Sequence, residues 1–250
     1  MMFLTETNLM SVAKTQYRYK IKANAGMFVI LIAVQLLAFL LSLNGGVGTS
    51  AGGFDSITYN IKYISGDIII VLTLIWALGI GISTAGSGFK MDFTFISNRV
   101  SSHLSSIAFL LTAAVVGGVT ATLCGILLRV VMYYTQNGVD TGSGFWIAPL
   151  SLLTGIFATT LYAVLTSSIG YFAGMLVQRN RVFIVLLPVL FFGTLFVEAR
   201  STGQAQTLIS AIEFFSKENS QAFFALKVIL VSAFLYGCVI LFSNRMEVRK

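Results

Sequence analysis

The chain has 250 residues, of which 56% are hydrophobic and 10% charged, with a formal net charge of +7. A soluble domain spends about a quarter of its residues on charge, so too little is available here to clothe a globule in water. The apolar residues also fall in long blocks, which excludes an ordinary water-soluble domain and makes the bilayer the natural solvent.

The first stretch, TETNLMSVAKTQYRYKIKAN, is too charged to cross a bilayer but has a helical pattern. Met10, Ala13, Tyr17 and Ile21 recur at three- and four-residue steps, beside a stripe of Lys14, Arg18 and Lys22. That pattern predicts an interfacial helix over roughly 5–22, with Tyr17 and Tyr19 at headgroup depth and Arg18 and Lys22 on the polar side. The plainer alternative is a basic flank that only orients the first span.

Six apolar runs follow, at about 26–43, 66–84, 105–131, 146–177, 182–197 and 223–242. They predict an all-α, polytopic membrane protein in one transmembrane domain with six spanning helices. The first run holds one strongly polar residue, Gln35, begins late and lacks a small-residue cleavage site, so it is expected to remain as a span. The segment 44–67 is rich in Gly and Ser and is expected to be a loop. Between the second and third runs lies MDFTFISNRVSSHLSS, with the chain's one histidine, His103. Arg99 and His103 are four residues apart and share a helix face, whereas Val100, Leu104, Ile107 and Leu111 form the other. The expectation is a short amphipathic helix over 95–106. Its Arg99–His103 side should meet a partner, and its Val100–Leu104 side should meet the membrane or the rest of the chain.

In the third run Gly117 with Ala121 and Gly118 with Thr122 are small-xxx-small pairs that allow close helix approach. Arg129, near its end, can snorkel. The fourth run is longer than one span needs and is expected to tilt or protrude. Ser151, Gly155, Ala158, Thr159, Tyr162, Thr166 and Gly170 share a stripe, and Gly170 with Gly174 makes another small pair. Packing is the simpler role for that stripe; Thr159, Tyr162 and Thr166 are its candidates for lining a translocation path. The fifth run is short and contains Pro188, which predicts a kink or a broken, re-entrant piece. The segment 198–222 has Leu208, Ile209, Ile212 and Phe215 at helical spacing, which predicts short helices dipping towards the membrane. Lys227 opens the last run and is expected to snorkel without an acidic partner at mid-depth. Cys124 and Cys238 both lie inside runs and form no disulfide or metal pattern.

Lys14, Arg18, Lys20 and Lys22, then Lys90 and Arg99, Arg179 and Arg181, and Arg245, Arg249 and Lys250 all fall at one end of six alternating spans. This bias predicts that both termini are cytoplasmic, and it matches anionic headgroups rather than nucleic acid. No metalloprotease, serine-hydrolase or P-loop pattern is present, and no paired carboxylates lie within a span. The expectation is a chain that is not itself an enzyme and holds no cofactor. Energy for uphill transport would have to enter from another polypeptide.

With LMSVAKTQYRYKIKAN, FTFISNRVSSHLSSIAF and QTLISAIEFFSKENSQAFF placed around six runs, essentially the whole chain resembles the permease subunit of a type 2 (ABC-2) ATP-binding-cassette exporter. The small permeases of Gram-positive bacteria are the nearest in kind. The resemblance implies an interfacial connecting helix, a cytoplasmic coupling helix and short extracellular helices before the last span. It implies a bacterial cell-membrane protein that pairs with a second permease, identical or paralogous, above two copies of a separate ATPase subunit that bind ATP and Mg. The coupling helix would contact that subunit through Ser97, Asn98, Arg99, Ser102 and His103. The cargo would be an amphipathic peptide or other amphiphile. The alternatives are a lipid or a drug carried by the same architecture, an ATP-independent carrier, or a membrane scaffold.

Overall fold

The computed structural model describes residues 9–45, 47–54, 57–64, 67–92, 99–135, 149–202, 207, 210, 213–215, 218 and 220–244. In chain order these form α1 (Leu9–Ala23), α2 (Ala25–Gly45), β1 (Val47–Phe54), β2 (Ile57–Ile64), α3 (Asp67–Asp92) and α4 (Arg99–Thr135). α5 (Pro149–Arg179), α6 (Phe183–Thr202) and α7 (Gln221–Asn244) complete it. Five helices are long and apolar enough to cross a membrane, namely those holding Ala25–Leu43, Asp67–Gly86, Val100–Met132, Pro149–Arg179 and Gln221–Phe242. The apolar part of α6, Phe183–Glu198, is shorter.

Two elements differ from the sequence reading. The segment expected as a loop contains an antiparallel hairpin, in which Val47 pairs with Ile64 and Phe54 with Ile57. The second strand, ITYNIKYI, is rich in the β-branched and aromatic residues that favour strands. The Gly- and Ser-rich first strand hides that signal, because its own composition reads as loop. The separate coupling helix is also absent, since residues 99–106 are the first two turns of the continuous 37-residue α4. No Gly or Pro interrupts Arg99 to Ala108, so nothing stops the helix once it has started. Residues 95–98 of the expected coupling helix and 5–8 of the expected interfacial helix lie outside the described residues.

The bundle is organised around α3 and α5, which run parallel and nearly touch backbone to backbone. A Cβ on Gly170 would lie 2.2 Å from the Leu78 carbonyl oxygen, and one on Gly81 would lie 2.3 Å from that of Ser167. Gly174 sits equally close to Ile82 and Ala85. In lipid there is no hydrophobic drive between helices, so such contacts supply dispersion that larger side chains would prevent. Around this seam Trp76, Ile80, Phe109, Leu110, Ala113, Val164 and Tyr171 form the main buried cluster. A second cluster, Ile69, Ala121, Leu128 and Met132 with Ala38, closes one end of α2–α4. The third, Leu161, Leu165, Phe224 and Val228, joins α5 to α7.

Helix directions follow from the contacts. The rings of Tyr162 and Phe224 are 4.9 Å apart, those of Tyr171 and Tyr236 6.0 Å, and those of Phe172 and Phe242 6.4 Å. The numbers rise together, so α5 and α7 are parallel. α4 is antiparallel to α5, with His103 at Tyr171 and Gly118 at Thr160. α2 is parallel to α4, through Phe28–Phe109 and Gln35–Thr120. The feet of α2, α4 and α6 and the ends of α3, α5 and α7 thus share one side with α1.

Gly79 and Gly81, two residues apart on α3, separate the effect of close packing from that of helix propensity. An added Cβ at Gly79 meets nothing within 4 Å, whereas at Gly81 it strikes backbone. We expect Gly81→Ala to destabilise the purified protein by about 1–3 kcal/mol through overpacking, with Gly79→Ala neutral or slightly stabilising. Thermal unfolding in detergent measures both, and equal midpoints for the two variants would refute the α3–α5 contact.

Candidate functional site

The sequence reading placed a partner contact on the polar start of α4, and the structure gives that stretch an inward role. Ser101, Ser102, His103, Ser105 and Ser106 are buried, while Val100 and Leu104 are 36% and 40% exposed. This is the reverse of the expected orientation for Ser102 and His103. The physical reason is the solvent: where lipid surrounds the helix, apolar side chains face out and polar ones find partners inside.

The partners come from α1 and α5. Lys20, only 4% exposed, donates from Nζ to the Ser102 carbonyl at 3.0 Å, to Ser102 Oγ at 3.2 Å and to Ser106 Oγ at 2.7 Å. Three acceptors match the three donors of an ammonium. Ser105 Oγ donates to the same Ser102 carbonyl at 2.8 Å. On the neighbouring face His103 Nδ1 and Tyr171 Oη share a hydrogen bond at 2.8 Å. Tyr171 in turn packs against Tyr236 of α7. The result is a polar joint that ties α1, α4, α5 and α7 together at one end of the bundle.

α1 fits this joint because its residues divide cleanly. Ala13 and Lys20 are buried and Tyr17 and Ile21 pack on the main cluster, while Lys14, Arg18 and Lys22 are exposed. The interfacial assignments of Tyr17, Arg18 and Lys22 therefore split into one inward and two outward residues. Lys20 was missed as a functional residue because it was counted with the basic flank. Its position seven residues after Ala13, two turns along the same face, was the available signal.

The remaining candidates separate. Ser97 and Asn98 lie outside the described residues, and Arg99 opens α4. Thr159 is buried, and the acceptors within reach of its single hydroxyl proton are Gly155 O at 2.9 Å, Ile156 O at 3.1 Å and, across on α4, Gly118 O at 3.3 Å. Thr166 donates back to Tyr162 O at 3.0 Å. Tyr162 stacks on Phe224 of α7. Within one chain these three therefore serve helix packing, Thr159 towards α4 and Tyr162 towards α7. Deeper in the bundle Gln35 Nε2 donates to Thr73 Oγ1 at 3.3 Å and Thr120 Oγ1 at 3.0 Å, a polar tie among α2, α3 and α4. Gln35 was legible in the sequence; its partners were not.

At the opposite end, away from mid-depth, Lys227 has an acidic partner. It forms an ion pair with Glu218, donates to Phe214 O at 3.3 Å and lies 4.1 Å from the centre of the Phe214 ring. Phe215 packs on the α5–α7 cluster, so this part of the outer segment folds back on the bundle. Leu208, Ile209 and Ile212 of the expected apolar stripe lie outside the described residues. Among the described residues no group of three or more His, Cys, Asp or Glu is arranged to hold a metal ion.

The joint makes a sharp distinction between two neighbouring lysines. Replacing Lys20 with Met strands the acceptors that Ser102 and Ser106 offer, and hydrogen bonds to a charged group contribute about 1.5–3 kcal/mol. Lys20→Met should lower the unfolding midpoint in detergent and speed proteolysis within α1, while Lys22→Met should leave both unchanged. A Lys20→Met protein as stable and as protected as wild type would show that the joint holds nothing. Compared with known proteins, the chain matches no family model, no curated protein and no solved structure.

Proposed function

We propose that this chain is the permease subunit of an ATP-driven exporter with the ABC-2 layout. In this reading it crosses the bacterial cell membrane six times with both termini cytoplasmic. Two such subunits, identical or paralogous, enclose the path above two ATPase subunits that bind ATP and Mg.

The observation that carries the reading is the parallel pairing of α5 with α7. α5 ends where α7 ends, so the chain must return to the far side between them. α6, with 20 residues, is about 30 Å long and matches the thickness of a hydrocarbon core. Both observations support a sixth crossing, although the apolar part of α6 is the shortest. Pro188 lies in this helix, and the crossing reading replaces the broken or re-entrant alternative. Most large side chains from Val182 to Val197 are exposed in the single chain, among them Phe192 and Phe196. A second permease is a natural cover for part of that surface.

The reading also revises where force would enter. Ser102 and His103 are occupied within the chain, so contact with an ATPase falls to 97–99, with Arg99 as the strongest donor. The polar joint would pass motion from there to α1, α5 and α7 as one body, a two-state shift driven from outside the chain. An amphipathic peptide or other amphiphile suits an interior whose polar groups are scattered Ser, Thr and Tyr.

Two experiments test separate parts. In a background with Cys124 and Cys238 replaced by Ala, Arg181→Cys and Arg200→Cys should react with an impermeant thiol reagent from opposite sides of the membrane. Labelling from one side only would remove the sixth crossing. For coupling, Arg99→Glu should reduce recovery of the ATPase with the permease and abolish ATP-dependent movement of a fluorescent amphiphile in proteoliposomes. His103→Ala should instead lower stability. Intact assembly and transport in Arg99→Glu would reject Arg99 as the contact, and transport by the chain without any ATPase would reject the subunit reading.

A further inference from the structure

The inward turn of Lys20 fixes what α1 shows to its surroundings. Lys14, Arg18 and Lys22 follow at four-residue steps, so successive cations stand about 6 Å apart along the axis and drift by about 40°. All three are exposed, and among the described residues none has an ion-pair or hydrogen-bond partner. Tyr19 beside them is 48% exposed. A free amphipathic helix could roll; this one cannot roll without breaking the Lys20 bonds to Ser102 and Ser106.

Two independent helices set the depth of this row. Lys22 is three residues before Ala25, where the first apolar span begins, and Lys20 is bonded to Ser102 and Ser106 just inside the start of the span at Val100. Lys22 and the pinned Lys20 therefore lie beside the starts of two spans, the level at which anionic phospholipids present phosphodiesters. A guanidinium can take two phosphate oxygens and an ammonium one.

We propose that the outer face of α1 is a binding surface for anionic phospholipid headgroups, with Lys14, Arg18 and Lys22 as its contacts and Lys20 as the pin that holds their orientation. The shared chemistry is a phosphate ester, and closeness to the starts of the spans at Ala25 and Val100 favours lipid over soluble phosphate. This surface is independent of the transport reading: it needs only that the chain sits in a membrane.

The full-length chain is purified into nanodiscs of about three parts phosphatidylcholine to one part phosphatidylglycerol, then released gently and weighed with its retained lipid. Wild type should be enriched in phosphatidylglycerol, and the enrichment should fall as salt is raised, since the contacts are exposed. Each cation near a membrane surface contributes roughly a fivefold preference, so Arg18→Gln should lose about that factor. Lys14→Gln/Arg18→Gln/Lys22→Gln should lose the preference, while Arg200→Gln, at the other end of α6, should keep it. An unchanged unfolding midpoint in Arg18→Gln excludes misfolding as the cause, and the wild-type salt titration needs no variant at all. Retention of phosphatidylglycerol by the triple variant at the wild-type level, or enrichment insensitive to salt, would overturn the proposal. Displacement of the lipid by millimolar inorganic phosphate would reassign the surface to free phosphate, and displacement by an acidic polypeptide would reassign it to protein.

Discussion

Close contact between the backbones of α3 and α5 is the constraint from which the rest of the bundle follows. Gly81, Gly170 and Gly174 leave no room for a side chain on either helix, so the pair acts as a single central element. Trp76 and Tyr171 flank this seam. Trp76 Nε1 donates to Met27 O at 3.1 Å and so draws in α2; Tyr171 reaches His103 and draws in α4. Because α3 and α5 are parallel, α4 must run back between them in sequence. The same logic, applied to α5 and α7, requires the chain between them to return to the far side. In a lipid solvent such close packing replaces the hydrophobic drive of a soluble core.

The second principle of the fold is that polar groups pair inward at set levels. Gln35 with Thr73 and Thr120 ties α2, α3 and α4. Lys20 with Ser102 and Ser106 ties α1 to α4 near one end, and Lys227 with Glu218 ties the outer segment to α7 at the other. The first two join elements far apart in sequence and would leave buried unpaired groups if broken, whereas Lys227 and Glu218 are nine residues apart and partly exposed. Many serines and threonines within the spans are instead satisfied by their own helix, as Ser42, Thr84 and Thr122 are. They lower the polarity of the interior without linking anything. The distinction decides which polar residues matter to the assembly.

Much of this was legible in the sequence, because run length and hydropathy report directly on a lipid environment. The helices containing 26–43, 146–177 and 223–242 correspond closely to α2, α5 and α7. Gly170 and Gly174 were also readable, since small residues four apart have few reasons to recur in a span. Gly81 was missed, although Ala77 and Ala85, four residues to either side, make small-xxx-small pairs with it. The orientation of Ser102 and His103 failed for a clear reason. The reading turned the polar side of this helix start towards a partner, whereas Ser102 bonds to Lys20 of α1 and His103 to Tyr171 of α5. Lys20 failed likewise, as a cation was assumed to face outward. Both errors come from pairings far apart in the chain, 82 residues between Lys20 and Ser102 and 68 between His103 and Tyr171. No periodicity records these.

The burial of Lys20 also changes what kind of object α1 is. An amphipathic helix held only by lipid adsorbs and rolls, and its depth follows the lipid composition. Here the ammonium is drawn into the first turns of α4, and Tyr17 and Ile21 join the main cluster. α1 therefore moves with the bundle, and the bundle moves with α1. Asn24 makes the link short: its backbone N–H donates to Lys20 O at 2.9 Å, and its carbonyl accepts from Met27 N–H at 2.9 Å. The turn into α2 is thereby closed on both sides. A displacement of the α4 start thus reaches α1 through Lys20 and α5 through His103. It returns to α2 through Asn24, with no long loop between these steps to absorb it. The elements at this end of the bundle are tied to one another, and their outer surface carries Lys14, Arg18 and Lys22 together with the exposed Arg179 and Arg181.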